Sequence, residues 1–250
     1  MAGRLQQMLK VSCSRRRVAL MQPYFLPYLG YFQLIAAADL FVIYDNVQFI
    51  KNGWIERNRY LLGQEPKWFG VPLSKGSHSL HIRDKRIAAH FNPDEILNKL
   101  AFAYRQAPYA NRVLPWLESL LVESTDSIAE LNEQVMRACC DLLELDTPII
   151  NASQLPMSPN LKGQGRVLDV VQAVAGTHYL NPLAGEHLYD AIAFKECGIT
   201  LELLQASLPP YAQGSDDTPF IPGLSILDAL MFNPAHTVGE WARQGVIMHA

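Results

Sequence analysis

The sequence has no H-E-x-x-H, no G-x-S-x-G and no G-x-x-x-x-G-K-[ST], so zincin, serine-hydrolase and P-loop mechanisms have no motif to work from. Cysteine is scarce, with 4 in 250 residues. Cys13, Cys139, Cys140 and Cys197 show no C-x-x-C spacing, which excludes the usual zinc cluster and a disulfide framework. Cys139 continues an apolar helical stripe and reads as a buried structural thiol. The histidines are scattered. His78 and His81 lie three apart in an extended run, which turns them to opposite faces, and no metal site is read. No apolar run approaches the roughly 20 residues of a membrane-spanning helix. A net charge of -3 lacks the basic footprint of a general nucleic-acid binder. A hydrophobic share of 49% with 18% charged residues is that of an ordinary globular chain, long enough for a substantial core. A cytoplasmic protein is expected, and no cofactor is implied.

What is present is concentrated in residues 18–59, VALMQPYFLPYLGYFQLIAAADLFVIYDNVQFIKNGWIERNR. Two short apolar runs, 18–21 and 40–44, flank a proline-punctuated turn and an apolar periodic segment, which is the order of a β-α-β unit. The loop leaving the first strand and the end of the second then share the carboxyl edge of a parallel sheet. Pro27 suits a first helical turn. Gly30 sits inside the helix, where glycine costs about 1 kcal/mol relative to alanine. Close approach of a ligand or tight helix-on-sheet packing would each explain it.

The string MQPYFLPYLGYFQLIAAADLFVIYD followed by NVQFIKNGWIERNR resembles the opening of the WbqC-like family of bacterial proteins. The likeness continues in THYLNPLAGEHLYDAIAFKECGITLELL and YAQGSDDTPFIPGLSILDAL, covering nearly everything after Arg17. A fainter similarity is to HUP-type nucleotidyltransferases and pantothenate synthetases, whose His-x-Gly-His positions read here Tyr28, Leu29, Gly30 and Tyr31. Both histidines are absent, so direct carry-over of nucleotidyl transfer has no support from them. WbqC-like proteins are associated with surface-polysaccharide gene clusters. The resemblance therefore implies an enzyme of polysaccharide or related glycoconjugate biosynthesis, acting on a phosphate-bearing or nucleotide-activated amino sugar by acyl or aminoacyl transfer. The rival readings are a HUP-like adenylating or nucleotidyl-transfer enzyme and a noncatalytic binding protein. The expected partner is a small anionic molecule, a nucleotide sugar or an acyl donor.

Residues 1–17 carry five basic side chains and no acidic one. They read as an extension without the apolar core of a secretory signal, ahead of one α/β domain spanning 18–250. Runs at 68–73 and 80–87 read as a hairpin or strand pair. Three helices follow, starting at Asn92, near Pro108 and at the Ser127/Glu130 capping box, and form an insertion over about 92–146. Helices over 166–175 and 186–196, each stopped by glycine, alternate with extended runs at 148–152, 177–180 and 199–204. That alternation predicts an α/β, doubly wound, mostly parallel sheet, Rossmann-like and close to the HUP arrangement, with a helical insertion. Residues 207–223 form a long connection with four prolines and the acidic pair Asp216 and Asp217. Such length suggests a functional loop, read here as a lid. Ser225 and Asp228 then read as a helix cap in preference to a catalytic pair.

The candidate chemistry gathers at the carboxyl edge. Lys51, Arg57 and Arg59 suit phosphate or carboxylate oxygens. Trp54 offers a stacking face, unless it folds into the core. Gln22, Tyr24, Gly30, Gln48, Asn58 and Lys75 complete the expected binding set. Tyr28, Tyr31 and Asp45 are the candidate catalytic groups, a tyrosine serving as proton donor if nearby cations lower its pKa and Asp45 as general base. Pairing of Asp45 with Arg57 or Arg59 and packing roles for the tyrosines are the structural alternatives.

Overall fold

A computed structural model describes residues 15–77, 79–122, 125–158, 160–214 and 219–250. Within it β1 (Arg17–Met21) and β2 (Leu40–Ile43) are the two apolar runs, buried along nearly their whole length. Burial on both faces is what an interior parallel strand requires. The two pair in parallel, Val18 opposite Leu40 and Met21 opposite Ile43, and the helix α1 (Leu29–Ala36) makes the crossover. Beyond β2 the chain departs from expectation. Arg57, Asn58 and Arg59 do not leave the sheet in a loop: they open β3 (Arg57–Leu62), which pairs with β4 (Glu65–Gly70) in a separate antiparallel ribbon. Its turn is Gly63-Gln64, and Gly63 adopts the left-handed φ of +64° that such a tight reversal needs. The expected partner run 80–87 contains instead a 3-10 turn, Ile82–Asp84, joined to its neighbours by isolated bridges. His78 lies outside the described residues.

Three helices separate the ribbon from the rest of the sheet: α2 (Pro93–Ala103), α3 (Ala110–Val122) and α4 (Ile128–Leu142). Asn92 caps α2 by accepting from the Asp94 N–H, and Ser127 caps α4 by accepting from that of Glu130. The chain then lays down β5 (Ile149–Asn151), α5 (Gly163–Ala173), β6 (His178–Pro182), α6 (Ala191–Glu196) and β7 (Thr200–Gln205). The expected helix over 186–196 is broken: a 3-10 segment, Leu183–Leu188, gives way at Asp190, whose carboxylate restarts the chain as α6 by accepting from the Ile192 N–H. Finally α7 (Ile226–Phe232) and α8 (Ala235–Ala242) lead into β8 (Val246–His249).

The strand order is β5-β2-β1-β6-β7-β8, and only β8 runs antiparallel to its neighbour. Counted along the chain, the six strands of this sheet read 3-2-1-4-5-6, a doubly wound Rossmann-like arrangement. The winding reverses between β1 and β6. Strand alternation sends Val18, Leu20, Leu40 and Val42 against α5 and α6, and Ala19, Phe41 and Ile43 against α1, α4 and α7. At the amino edge Arg17, expected in the extension, is the first residue of β1. Its Nε donates to the fully buried Glu202 of β7 at 2.6 Å, and Arg15 donates to the same carboxylate. Arg16 N–H donates to the Thr177 hydroxyl at 2.8 Å, and residues 1–14 of the extension lie outside the described residues.

Candidate functional site

The turn between β1 and α1 is held from four directions. Asn58 on β3 donates to the carbonyls of Phe25 and Leu26 at 3.0 and 2.7 Å. Asn132 on α4 donates to those of Pro23 and Ile55 at 2.9 and 2.8 Å. The Ser225 hydroxyl donates to Leu26 O at 2.8 Å, and Phe25 N–H donates to Trp54 O at 2.8 Å. All three side chains are buried. This clamp tolerates a left-handed Leu26, at φ +46° and without solvent exposure, a strained conformation for a residue with a Cβ. A turn fixed at that cost presents its side chains in one geometry.

The side chains it presents line a cleft of about 230 Å³ formed by Tyr24, Pro27, Tyr28, Trp54, Asn58, Arg59 and Gly223. Arg59 is its cation. The guanidinium lies 5.5 Å from the Trp54 ring centre and donates through one Nη to the Gly223 carbonyl at 3.2 Å. Its Nε is buried and has no hydrogen-bond partner. Trp54 lies tilted against Trp68, with ring centres 5.3 Å apart, and Arg57 covers Trp68 at 4.1 Å. The ribbon thus carries a guanidinium-indole-indole-guanidinium ladder, with Arg59 at the cleft and Arg57 beyond it, donating to Asn52 O. Gly30 has a direct part. A Cβ there would meet Tyr28 Cε2 at 2.5 Å, so the missing side chain is what lets the Tyr28 ring lie over α1 and face the cleft.

Burial raises the pKa of Tyr24, with Tyr28 adding to it, and burial alone raises that of Tyr28. The direction is opposite to the lowering expected from nearby cations; both phenols stay protonated at neutral pH and are available as hydrogen-bond donors. Among the described residues the lining contains no carboxylate, imidazole or thiol. It can grip a ring between aromatic faces and neutralise an anion, and none of its described residues is a general base.

A family model described as the WbqC-like protein family matches residues 22–240. The chain belongs to the WbqC-like protein family. It is also 29% identical over 231 residues to the uncharacterized protein Rv1507c of Mycobacterium tuberculosis, covering 91% of this chain and 98% of that one. No solved structure matches. The matched span takes in the clamp, the cleft and every strand of the sheet except β1 and β8.

The remaining candidates of this WbqC-like chain lie elsewhere. Tyr31 is buried, and its hydroxyl donates to Gln22 O at 2.8 Å; burial first, with neighbouring Tyr24, holds its pKa well above the usual range. It buttresses the turn from below. Asp45 is 3% exposed and accepts from both the N–H and the hydroxyl of Ser153, tying the end of β2 to the turn after β5. Neither Arg57 nor Arg59 pairs with it. Gln48 forms an isolated bridge with His81. Lys51 and Lys75 are exposed and outside the cleft lining. Gln22 follows the last residue of β1 directly and is not among the residues lining the cleft. No cluster of His, Cys, Asp or Glu among the described residues could hold a metal. Cys139 and Cys140 are buried, and burial pushes both thiols up, the second to about 12.

Asn132, Ser225 and Gly223 were not singled out for this site by the sequence, and only Ser225 carried a signal, as a cap. That cap is present, the hydroxyl accepting from the Leu227 N–H. Asp228 is wholly buried and accepts from Tyr104 and Tyr211 hydroxyls at 2.8 and 2.6 Å and from Gln213 Nε2 at 2.7 Å. Gln213 also bridges both ways to the main chain of Ile221, at 2.7 and 3.0 Å. These bonds pin the two limbs of the 207–223 connection together beside the cleft. Asp216 and Asp217 lie outside the described residues.

Proposed function

We propose that the chain is a group-transfer enzyme of glycoconjugate biosynthesis whose cleft binds a sugar ring bearing an anionic substituent, as in a nucleotide-activated amino sugar. The observation that carries this reading is Arg59, a guanidinium held against aromatic walls with a buried, unpartnered Nε. Hydrogen bonds to a charged partner contribute roughly 1.5 to 3 kcal/mol, and an orphaned donor in a low-dielectric wall gains most from an anion. Tyr24, Tyr28 and Trp54 suit a sugar or base face. The polysaccharide context comes from the family resemblance. Acyl or aminoacyl transfer then draws its base from a group outside the described lining of the cleft or from the second substrate.

A HUP-like nucleotidyl transfer is the second reading, favoured by the 3-2-1-4-5-6 strand order, which builds a nucleotide crevice in many doubly wound sheets. Calorimetric titration with a series of nucleotide-activated amino sugars and acyl donors, followed by mass spectrometry of the mixtures, separates the readings. The transferase reading expects saturable sugar-nucleotide binding, weakened in Arg59→Ala and partly restored in Arg59→Lys, with transfer to the amine. Pyrophosphate release from ATP would favour nucleotidyl transfer, and unchanged affinity in Arg59→Ala would remove the cleft from consideration.

A further inference from the structure

We propose a second site, on the opposite side of the sheet edge from the aromatic cleft, in which Arg166, Tyr44, Gln22 and Asn181 bind a phosphate group. It goes beyond the reading of the cleft and does not depend on it. The sheet places three of the four. Val18, Leu20, Leu40, Val42 and Tyr179 face α5 and α6. The same alternation, continued to the carboxyl edge, brings Gln22, Tyr44 and Asn181 to that face, from the adjacent strands β1, β2 and β6. Tyr44 packs there against the α5 side. β1 and β6 flank the point where the winding reverses and the crossovers diverge, leaving a crevice beyond the strand ends.

Arg166 stands on α5 close enough to Tyr44 for its charge to act on the phenol. Its Nε is buried without a hydrogen-bond partner, and no ion pair neutralises it among the described residues. Burial pushes the Tyr44 phenol up to about 12 despite Arg166, so it remains a donor at neutral pH. The Gln22 side chain has no hydrogen bond among the described residues; only its carbonyl is used, by Tyr31. The opposite wall is set by Tyr179, whose hydroxyl lies 3.3 Å from Asn181 Oδ1 and 3.2 Å from that of Tyr189. Asn181 Nδ2 gives one hydrogen to the Pro182 carbonyl at 2.9 Å and keeps the second, so donors at three strand ends and on a helix are available to a tetrahedral oxyanion, and a guanidinium fork matches two of its oxygens.

The test is calorimetric titration of the full chain with inorganic pyrophosphate and, separately, with ADP. Saturable binding of either probe is expected, weakened at least about tenfold in Arg166→Ala and less in Arg166→Lys, while Arg105→Ala, which removes an exposed cation outside both sites, binds as the parent does. Binding of ADP alone would assign the phosphate to a nucleotide; binding of pyrophosphate alone would assign it to the free anion or a leaving group. Tyr44→Phe keeps the packing and removes one donor, so it reads the site even if Arg166→Ala does not fold. The proposal is overturned if neither probe binds at millimolar concentration, or if affinity is the same in Arg166→Lys and Tyr44→Phe as in the parent.

Discussion

Gly30 lies directly under the ring of Tyr28: a Cβ at position 30 would approach the phenol carbons to 2.5 and 2.7 Å. The helix gives up the propensity of alanine so that a ring can occupy the space.

Gly30→Ala should therefore separate stability from binding. Alanine gains about 1 kcal/mol of helix propensity, while the added methyl displaces the Tyr28 ring from the cleft wall. The expected outcome is a melting temperature equal to or above that of the parent with clearly weaker binding of any ligand that Arg59→Ala also weakens. A lower melting temperature with intact binding would contradict the placement of the ring.

Asn132→Asp tests the clamp. The amide nitrogen that donates to Pro23 and Ile55 becomes a carboxylate oxygen facing both carbonyls, at unchanged volume. Leaving buried acceptors unsatisfied costs about 1 to 3 kcal/mol each, so chemical denaturation should show a loss of that order or more, and the cleft ligand should bind more weakly. Equal unfolding midpoints would show that the turn holds its shape without Asn132.

Asp228→Ala strips three donors of their acceptor: the hydroxyls of Tyr104 and Tyr211 and the amide of Gln213. The 207–223 connection then loses its anchor next to Gly223. Limited proteolysis of the folded variant should cut this connection several times faster than in the parent, because local opening precedes cleavage. Unchanged cleavage would place the anchor elsewhere.

Glu202 predicts an acid-sensitive component of stability. Burial pushes its carboxyl up, but the guanidinium groups of Arg17 and Arg15 outweigh this and leave the pKa below the usual value. A folded pKa lower than the unfolded one, about 4.3, gives stability that is fully present above that pH and disappears as pH falls through the folded value. Thermal unfolding of Glu202→Gln should accordingly be less stable than the parent at neutral pH, with the gap closing below about pH 4. A gap that persists in acid would assign the loss to packing.

Much of the architecture is legible because apolar runs and glycine stops carry physical constraints. VALM and LFVI are apolar on both strand faces, as interior strands of a covered parallel sheet are, and Leu29–Ala36 between them packs as the crossover. Polar strands hide. RNRYLL reads as a basic loop, since its alternate residues face the ladder of arginines and indoles rather than water alone, and VIMH is too short to register beside Gly245. The cleft residues Tyr24, Tyr28, Trp54, Asn58 and Arg59 cluster in sequence and meet in space, whereas Asn132 looks like any polar position on a helix. Nothing local reveals that its partners are carbonyls 77 and 109 residues away. Asp45 misleads for a related reason: an acid at a strand end has the same appearance whether it faces substrate or a serine.

The two indoles of the ladder also give the protein an optical handle. Of the four tryptophans, Trp54 and Trp68 stand 5.3 Å apart, tilted by 38° and each under a guanidinium, while Trp116 and Trp241 lie in other parts of the fold. Neighbouring indole transitions at that separation couple, so the pair should leave a chiral signature in the near ultraviolet that a ligand drawing Arg59 away from Trp54 would change, without any label being attached.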